Sequence, residues 1–201
     1  MSRIPSRHAI PNPPPAVLPD ESSARDRELE RFEATVLPHL TDAYTLARHL
    51  VGDDHDAQDV VQEGALRALR HFAGFRDGSA HGGGARAWLL AIVRHCALDT
   101  LRRRAGRATV EYDDEDHGAA LERYEPADRA AGASDEWRHV ARAVAALPLE
   151  YRETIVLREV QELSYREIAT ITGVPVGTVM SRLARARERL QRLLGPDRGE
   201  A

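Results

Sequence analysis

Apolar residues in this chain recur mainly at spacings of three and four, and no sustained alternation of apolar with polar residues marks a half-buried strand. Leu29, Phe32, Val36, Leu40, Tyr44 and Ala47 form the first series. Val60, Val61, Ala65, Leu66 and Leu69 form the second, and Trp88, Leu89, Ile92, Cys96 and Leu101 the third. A helix gathers such positions on one face, whereas a strand divides them between two. The spacing predicts an all-α protein. Hydrophobic content of 42% is enough for packed cores, and only 5% is aromatic, which favours aliphatic helix packing.

Breakers divide the pattern into units. Residues 1–25 are rich in proline and polar groups and are expected to be a disordered tail. Helical periodicity starts near Asp26, with Pro38 at a kink or break and Gly52 at the stop. "DDHDAQD" then opens a helix with acids in its first turn, where the helix dipole favours them. A glycine-rich loop, "GFRDGSAHGGGA", leads to a helix from about Arg86 to Arg104. Residues 26–104 thus read as one small helical domain. Residues 105–135 are acidic, lack an apolar period and read as a flexible linker. Periodicity returns over 136–194, a second small helical domain, and 195–201 form a tail.

The second domain carries the most specific local signal. In "ELSYREIATITGVPVGTV", Ser164 and Glu167 make the S-x-x-E capping box that starts a helix at Tyr165. Ile168 and Ile171 face inward, and Ala169 is small where another helix can cross. Gly173 suits the left-handed position that ends the helix. Pro175 then permits a new start. A short helix, a glycine-containing turn and a longer arginine-rich helix make a helix-turn-helix.

That longer stretch, residues 174–194, holds Arg182, Arg185, Arg187, Arg189 and Arg192 against the single acid Glu188. Projected at helical spacing, Val176, Val179, Leu183, Ala186, Leu190 and Leu194 share one face. Ser181 and Glu188 lie opposite, flanked by Arg185 and Arg192, with Arg182 and Arg189 at the side. Arg187 falls at the apolar edge, the place of a salt-bridging or snorkelling side chain. The N-terminal part of a recognition helix is the part that enters the major groove. Thr178, Ser181, Arg182 and Arg185 are therefore groove candidates, and Arg185 can take guanine bidentately. Arg189 and Arg192 lie too far along for bases.

Charge is segregated beneath a net −4. Residues 28–63 carry nine acids against Arg31 and Arg48. Residues 86–107 carry Arg86, Arg94, Arg102, Arg103, Arg104 and Arg107 against Asp99 alone. Cys96 is the single cysteine, which excludes an intrachain disulfide and a multi-cysteine zinc site; its apolar neighbours mark it as a buried small hydrophobe. "GDDHDAQD" offers Asp53, Asp54, His55, Asp56 and Asp59, but it lacks the turn glycine and final glutamate of a calcium loop. No metal, cofactor or catalytic group is expected. No apolar run approaches a membrane span, and the N-terminus has no export core. The expected location is the cytoplasm.

Four stretches together resemble the bacterial sigma factors of the extracytoplasmic-function group in the sigma-70 family. They are "DAQDVVQEGALRAL", "AWLLAIVRHCALDTLRRR", "LPLEYRETIVLREVQELSYREIA" and "GVPVGTVMSRLARARERL", in the family's order. The resemblance implies a promoter-specific initiation factor that binds core RNA polymerase and assists DNA melting. The first domain would bind the polymerase clamp and the minus-ten element. The second would dock on the flap and read the minus-thirty-five element.

Residue by residue, the resemblance implies clamp contacts at Asp59, Gln62 and Glu63. It places Arg94, His95, Arg102 and Arg103 near the melted non-template strand, with Trp88 core first and stacking platform second. Ser164, Tyr165, Thr178, Met180, Ser181, Arg182, Ala184 and Arg185 fall at minus-thirty-five positions. Three departures bear on sequence preference: His95 replaces a frequent Asn, the loop before Trp88 has extra glycines, and Met180 and Ala184 replace a basic and a larger side chain. Apolar contact with a thymine methyl is the substitute chemistry. The family also implies an anti-sigma factor as partner. A stand-alone helix-turn-helix regulator is the alternative; it accounts for the second domain but not for the acidic and basic helices of the first.

Overall fold

The computed structural model describes residues 21–76, 84–107 and 135–195. Residues 108–134 of the expected linker and the last tail residues fall outside the described residues, as does most of the N-terminal tail; residues 105–107 continue the preceding helix and Asp135 opens the next, so the linker is shorter at both ends than expected. Every regular element among the described residues is helical.

Helix α1 spans Glu21–Val36, so residues 21–25 belong to a helix rather than to a disordered tail. Beyond Pro19 the chain holds no proline or glycine until Pro38, so nothing stops the helix from extending backward. A 3₁₀ turn at Leu37–His39, with Pro38 in it, separates α1 from α2, Leu40–Val51. Gly52 ends α2 at φ 81°, its N–H donating to Arg48 O at 3.0 Å. Asp53 caps α3, Asp54–His71, by accepting from Asp56 N at 2.9 Å. A 3₁₀ turn at Phe72–Gly74 follows, and α4 runs over Gly84–Arg107.

Helices α2, α3 and α4 pack on one another around Leu46, Leu50, Phe72, Leu89, Leu90 and Val93. Phe32 of α1 meets the Phe72 ring edge-on at 5.3 Å, and Trp88 lies 4.7 Å from the Phe75 ring, inside the same aromatic cluster. The buried face of α3 is Ala57, Val60, Gly64 and Ala68. Leu66 and Leu69, expected inward, are 50% and 41% exposed, and Leu29 of α1 is 46% exposed. Small residues let α4 approach more closely than leucines would, so the contact follows the small stripe and leaves the leucines outside.

The second unit contains α5 (Asp135–Ala145), α6 (Leu149–Ile155), a π-helical turn (Val156–Val160), α7 (Tyr165–Thr172) and α8 (Val176–Leu194). Helix α8 packs against α5, α6 and α7 through Val179, Leu183 and Ala186, all buried. Val176, at the first position of α8, is 38% exposed, so the buried stripe starts one turn later than its spacing suggests. The two units touch: α4 packs against α7, and α2 against α6 and the π-helical turn.

Candidate nucleic-acid interface

The turn between α7 and α8 is fixed by local chemistry. Ser164 Oγ accepts from Glu167 N at 3.3 Å, and a Glu167 carboxylate oxygen accepts from Ser164 N at 2.8 Å. Both halves of the capping box are therefore present. Gly173, at φ 72°, ends α7 and donates to Ala169 O at 2.9 Å. The carbonyl of Pro175 accepts from Thr178 N and Val179 N at 2.9 and 3.1 Å, which starts α8.

On α8 the solvent side of the first turns carries Met180, Ser181, Ala184 and Arg185, with Thr178 and Arg182 half-buried beside them. Ser181 Oγ donates to Thr178 O at 2.9 Å. Arg182 and Arg185 make no ion pair among the described residues. The later arginines differ. Arg187 Nη2 lies 2.7 Å from Glu159, Arg189 stands over the Tyr151 ring at 5.1 Å, and Arg192 lies 3.6 Å from Glu188. The helix is thus divided into an open cationic half and a half whose guanidiniums are engaged within the protein.

Ser164 is exposed at the start of α7, and half-buried Tyr165 has Arg158 over its ring at 5.2 Å. Arg166, next to them, is exposed and makes no ion pair among the described residues. The sequence reading passed it over, although its place in the first turn after the capping serine was the available signal.

In the first unit, His95 and Arg102 lie two turns apart on one exposed line of α4, about 10 Å along the axis. A His95 ring nitrogen lies 2.7 Å from Ala91 O. Arg102 is 72% exposed and lies 2.9 Å from Asp99, and exposed Arg103 donates to Asp99 O and Thr100 Oγ1. Arg94 is not on this line. It is largely buried against Glu153 of α6. Asp59 and Gln62 are exposed on α3, with Glu63 half-buried one turn from Asp59. Arg67 donates to Glu63 at 2.8 Å, which holds the Glu63 carboxyl below the usual range, and reaches Asp99 of α4 at 3.2 Å. The neighbouring acids are occupied: Asp54 accepts from Tyr44 at 2.9 Å and pairs with Arg48, and Asp56 pairs with Arg104. Cys96 is 2% exposed, and burial raises its thiol pKa.

The family model for Sigma-70 region 2 matches residues 35–107, and that for Sigma-70, region 4 matches residues 138–190. The RNA polymerase sigma-H factor of Pseudomonas aeruginosa is 34% identical over 173 residues, covering 82% of this chain and 86% of that protein. The chain belongs to the extracytoplasmic-function group of the sigma-70 family. The ECF sigma factor SigC of Mycobacterium tuberculosis is likewise 34% identical, covering 83% of this chain and 84% of its own. SigE of Mycolicibacterium smegmatis is 32% identical over 84% of this chain, which spans 63% of that longer protein. Among solved structures, this sigma factor is similar to RpoE of Bartonella quintana, crystallised with the anti-sigma factor NepR, at TM-score 0.66 and 28% identity, covering 84% of this chain and 99% of that one. CnrH, in complex with the cytosolic domain of CnrY, matches at TM-score 0.59 and 26% identity, over 86% of this chain and 93% of its own. This sigma factor is a promoter-specific initiation factor whose partners are core RNA polymerase and promoter DNA. No helix among the described residues is long and apolar enough to cross a membrane.

Proposed function

We propose that this sigma factor reads the minus-thirty-five element with the first half of α8 and the start of α7, and the melted minus-ten strand with α4. The observation that carries the reading is the division of α8. Arg182 and Arg185 are left without ion pairs among the described residues beside Met180, Ser181 and Ala184, while Arg187, Arg189 and Arg192 are engaged elsewhere. Arg185 takes a guanine edge, and Met180 and Ala184 meet thymine methyls. Thr178 and Arg182 flank them in the groove. Ser164, Tyr165 and Arg166 lie at the phosphates, which position the helix without reading bases.

On α4, His95, Arg102 and Arg103 form the cationic side that tracks the displaced strand, joined by Arg94 when it is released. Preferential binding to the single strand shifts the duplex toward its open form without ATP. Asp59, Gln62 and Glu63 present the polymerase-facing side of α3. Residues 26–104 and 136–194 act as the two working domains, and 105–135 as the tether between them. The protein acts in the cytoplasm, catalyses no reaction itself and is held in check by an anti-sigma factor, a reading supported by the capture of RpoE with the anti-sigma factor NepR.

Run-off transcription with purified core polymerase and a promoter library tests this reading. Arg185→Ala is expected to weaken recognition at one minus-thirty-five position by about 1–3 kcal/mol and to relax the base preference there. An unchanged preference removes Arg185 from the base-reading set, and failure to bind core polymerase removes the whole reading.

A further inference from the structure

Asp99 is the single acid on α4, the helix read above as the one that tracks a polyanionic strand. An acid there repels phosphates unless it has another task, and its surroundings supply one. Asp99 Oδ1 accepts from Arg102 Nη1 at 2.9 Å, and Oδ2 accepts from Arg67 Nη1 of α3 at 3.2 Å. Its main-chain oxygen accepts from Arg103 Nε at 3.3 Å. Arg103 Nη2 also donates to Thr100 Oγ1 at 3.0 Å, and that hydroxyl donates to Cys96 O at 3.0 Å. With its proton committed to Cys96, the hydroxyl keeps its lone pairs for the guanidinium.

We propose that Asp99 and Thr100 are positioning residues that hold Arg102 and Arg103 as a preformed pair of phosphate-binding cations, with Arg67 anchoring Asp99 from α3. The proposal rests on the reading of α4 as the strand-binding helix. An arginine loose on a helix surface samples many rotamers, and ordering it when the strand arrives weakens binding. A side chain already held in place avoids that loss. Each guanidinium keeps most of its N–H donors after these bonds, so being held does not exhaust its capacity for a phosphate.

A lone ion pair at this exposure would hold little: Arg102 is 72% exposed and Asp99 41%. Here, however, both carboxylate oxygens of Asp99 are occupied, and Arg67 is itself fixed by Glu63 at 2.8 Å. Glu63, Arg67, Asp99 and Arg102 form a run of alternating charge across α3 and α4, the kind of network in which exposed pairs do keep one geometry. Because Arg67 and Arg102 share its charge, Asp99 presents little net repulsion to a strand. Arg67 sits between two carboxylates, which suits an anchor better than a phosphate ligand.

The test uses holoenzyme assembled from the full chain and purified core polymerase. Its binding to a fork junction with a single-stranded non-template overhang, cut from the strongest promoter of the run-off library, is read by fluorescence anisotropy. Asp99→Asn leaves one acceptor oxygen for two arginines and should weaken binding about 3–10-fold, the cost of ordering a freed side chain. That sign is the reverse of what removing an acid from a DNA-binding surface otherwise brings. Arg67→Ala should act as Asp99→Asn does. Thr100→Val should weaken binding to a similar extent, and Thr100→Ser should restore it. In an Arg102→Ala background Asp99→Asn should cost nothing further, and in an Arg103→Ala background neither should Thr100→Val. Circular dichroism confirms that each variant folds. Tighter or unchanged binding by Asp99→Asn overturns its role. Losses that simply add to those of the arginine variants overturn positioning in favour of a general structural part. Failure of the underlying reading shows separately: Arg102→Ala and Arg103→Ala would themselves then leave binding to the fork junction unchanged.

Discussion

Gly64 of α3 faces Val93 of α4 so closely that a Cβ at Gly64 would lie 2.7 Å from Val93 Cγ2. Val93 is fully buried, and a β-branched side chain in a helix has one strongly preferred rotamer, so it cannot swing aside. Gly64→Ala gains about 1 kcal/mol of helix propensity. Against this, overpacking costs about 1–3 kcal/mol. The clash is expected to win by about 1 kcal/mol in urea unfolding. Adding Val93→Ala should make the alanine at 64 less costly than it is alone.

The same crossing shows where the sequence was legible. Asp53, Gly52, Ser164, Glu167 and Gly173 act through bonds to residues three or four positions away, so their roles can be read from a short window. The choice of buried face on α3 cannot. Leu66 and Leu69 are as apolar as any core residue, and what excludes them is the close approach allowed by Gly64, a property of two helices rather than one. In the candidate site, the side of α8 that carries Arg185, and the ion-pairing edge at Arg187, followed from projection alone. Tyr151 beneath Arg189 did not, because it lies on α6, far back in the sequence. Glu153 was harder still. One acid in "ETIVL" looks like a helix-surface residue until α4 brings Arg94 to it across the unit boundary.

Ser164 serves the fold whether or not it touches DNA. Ser164→Ala removes the side chain that accepts from Glu167 N and should cost about 1 kcal/mol in a thermal melt. Ser164→Thr keeps the cap, so it should recover most of that stability. A loss of minus-thirty-five binding that persists in the threonine variant would show a contact beyond capping.

Arg189 shows how an arginine of α8 is engaged within the protein. Its guanidinium over Tyr151 joins α8 to α6, an arrangement worth about 0.5–1 kcal/mol at a partly exposed site. Arg189→Ala is expected to lower the stability of the second unit by that amount. Tyr151→Leu should do the same, and the double variant should be less than additive. Selection from a randomised promoter library should return the wild-type base preference for Arg189→Ala, in contrast to Arg185→Ala. A changed preference would make Arg189 a reader.

His49, packed near Arg152 of the other unit, is expected to make stability sensitive to acid. Burial first, then the fixed charges of Arg48 on its own helix and Arg152 on α6, lower its pKa to about 4 from 6.5. The residue as a whole is partly exposed, but its Nδ1 is buried without a partner among the described residues. Above pH 6.5 the ring is neutral in the folded and unfolded states alike, and its contribution is fully present. As pH falls from 6.5 toward 4, the unfolded state takes up a proton that the folded state refuses, so stability is lost. Between pH 7.5 and 5 the loss should be about 2 kcal/mol, by the linkage of about 1.4 kcal/mol per pH unit. His49→Leu fills the same space without a titrating ring and should flatten that part of the profile. Urea unfolding of both proteins at pH 7.5, 6 and 5 measures the difference, and parallel profiles would show that His49 does not govern that sensitivity.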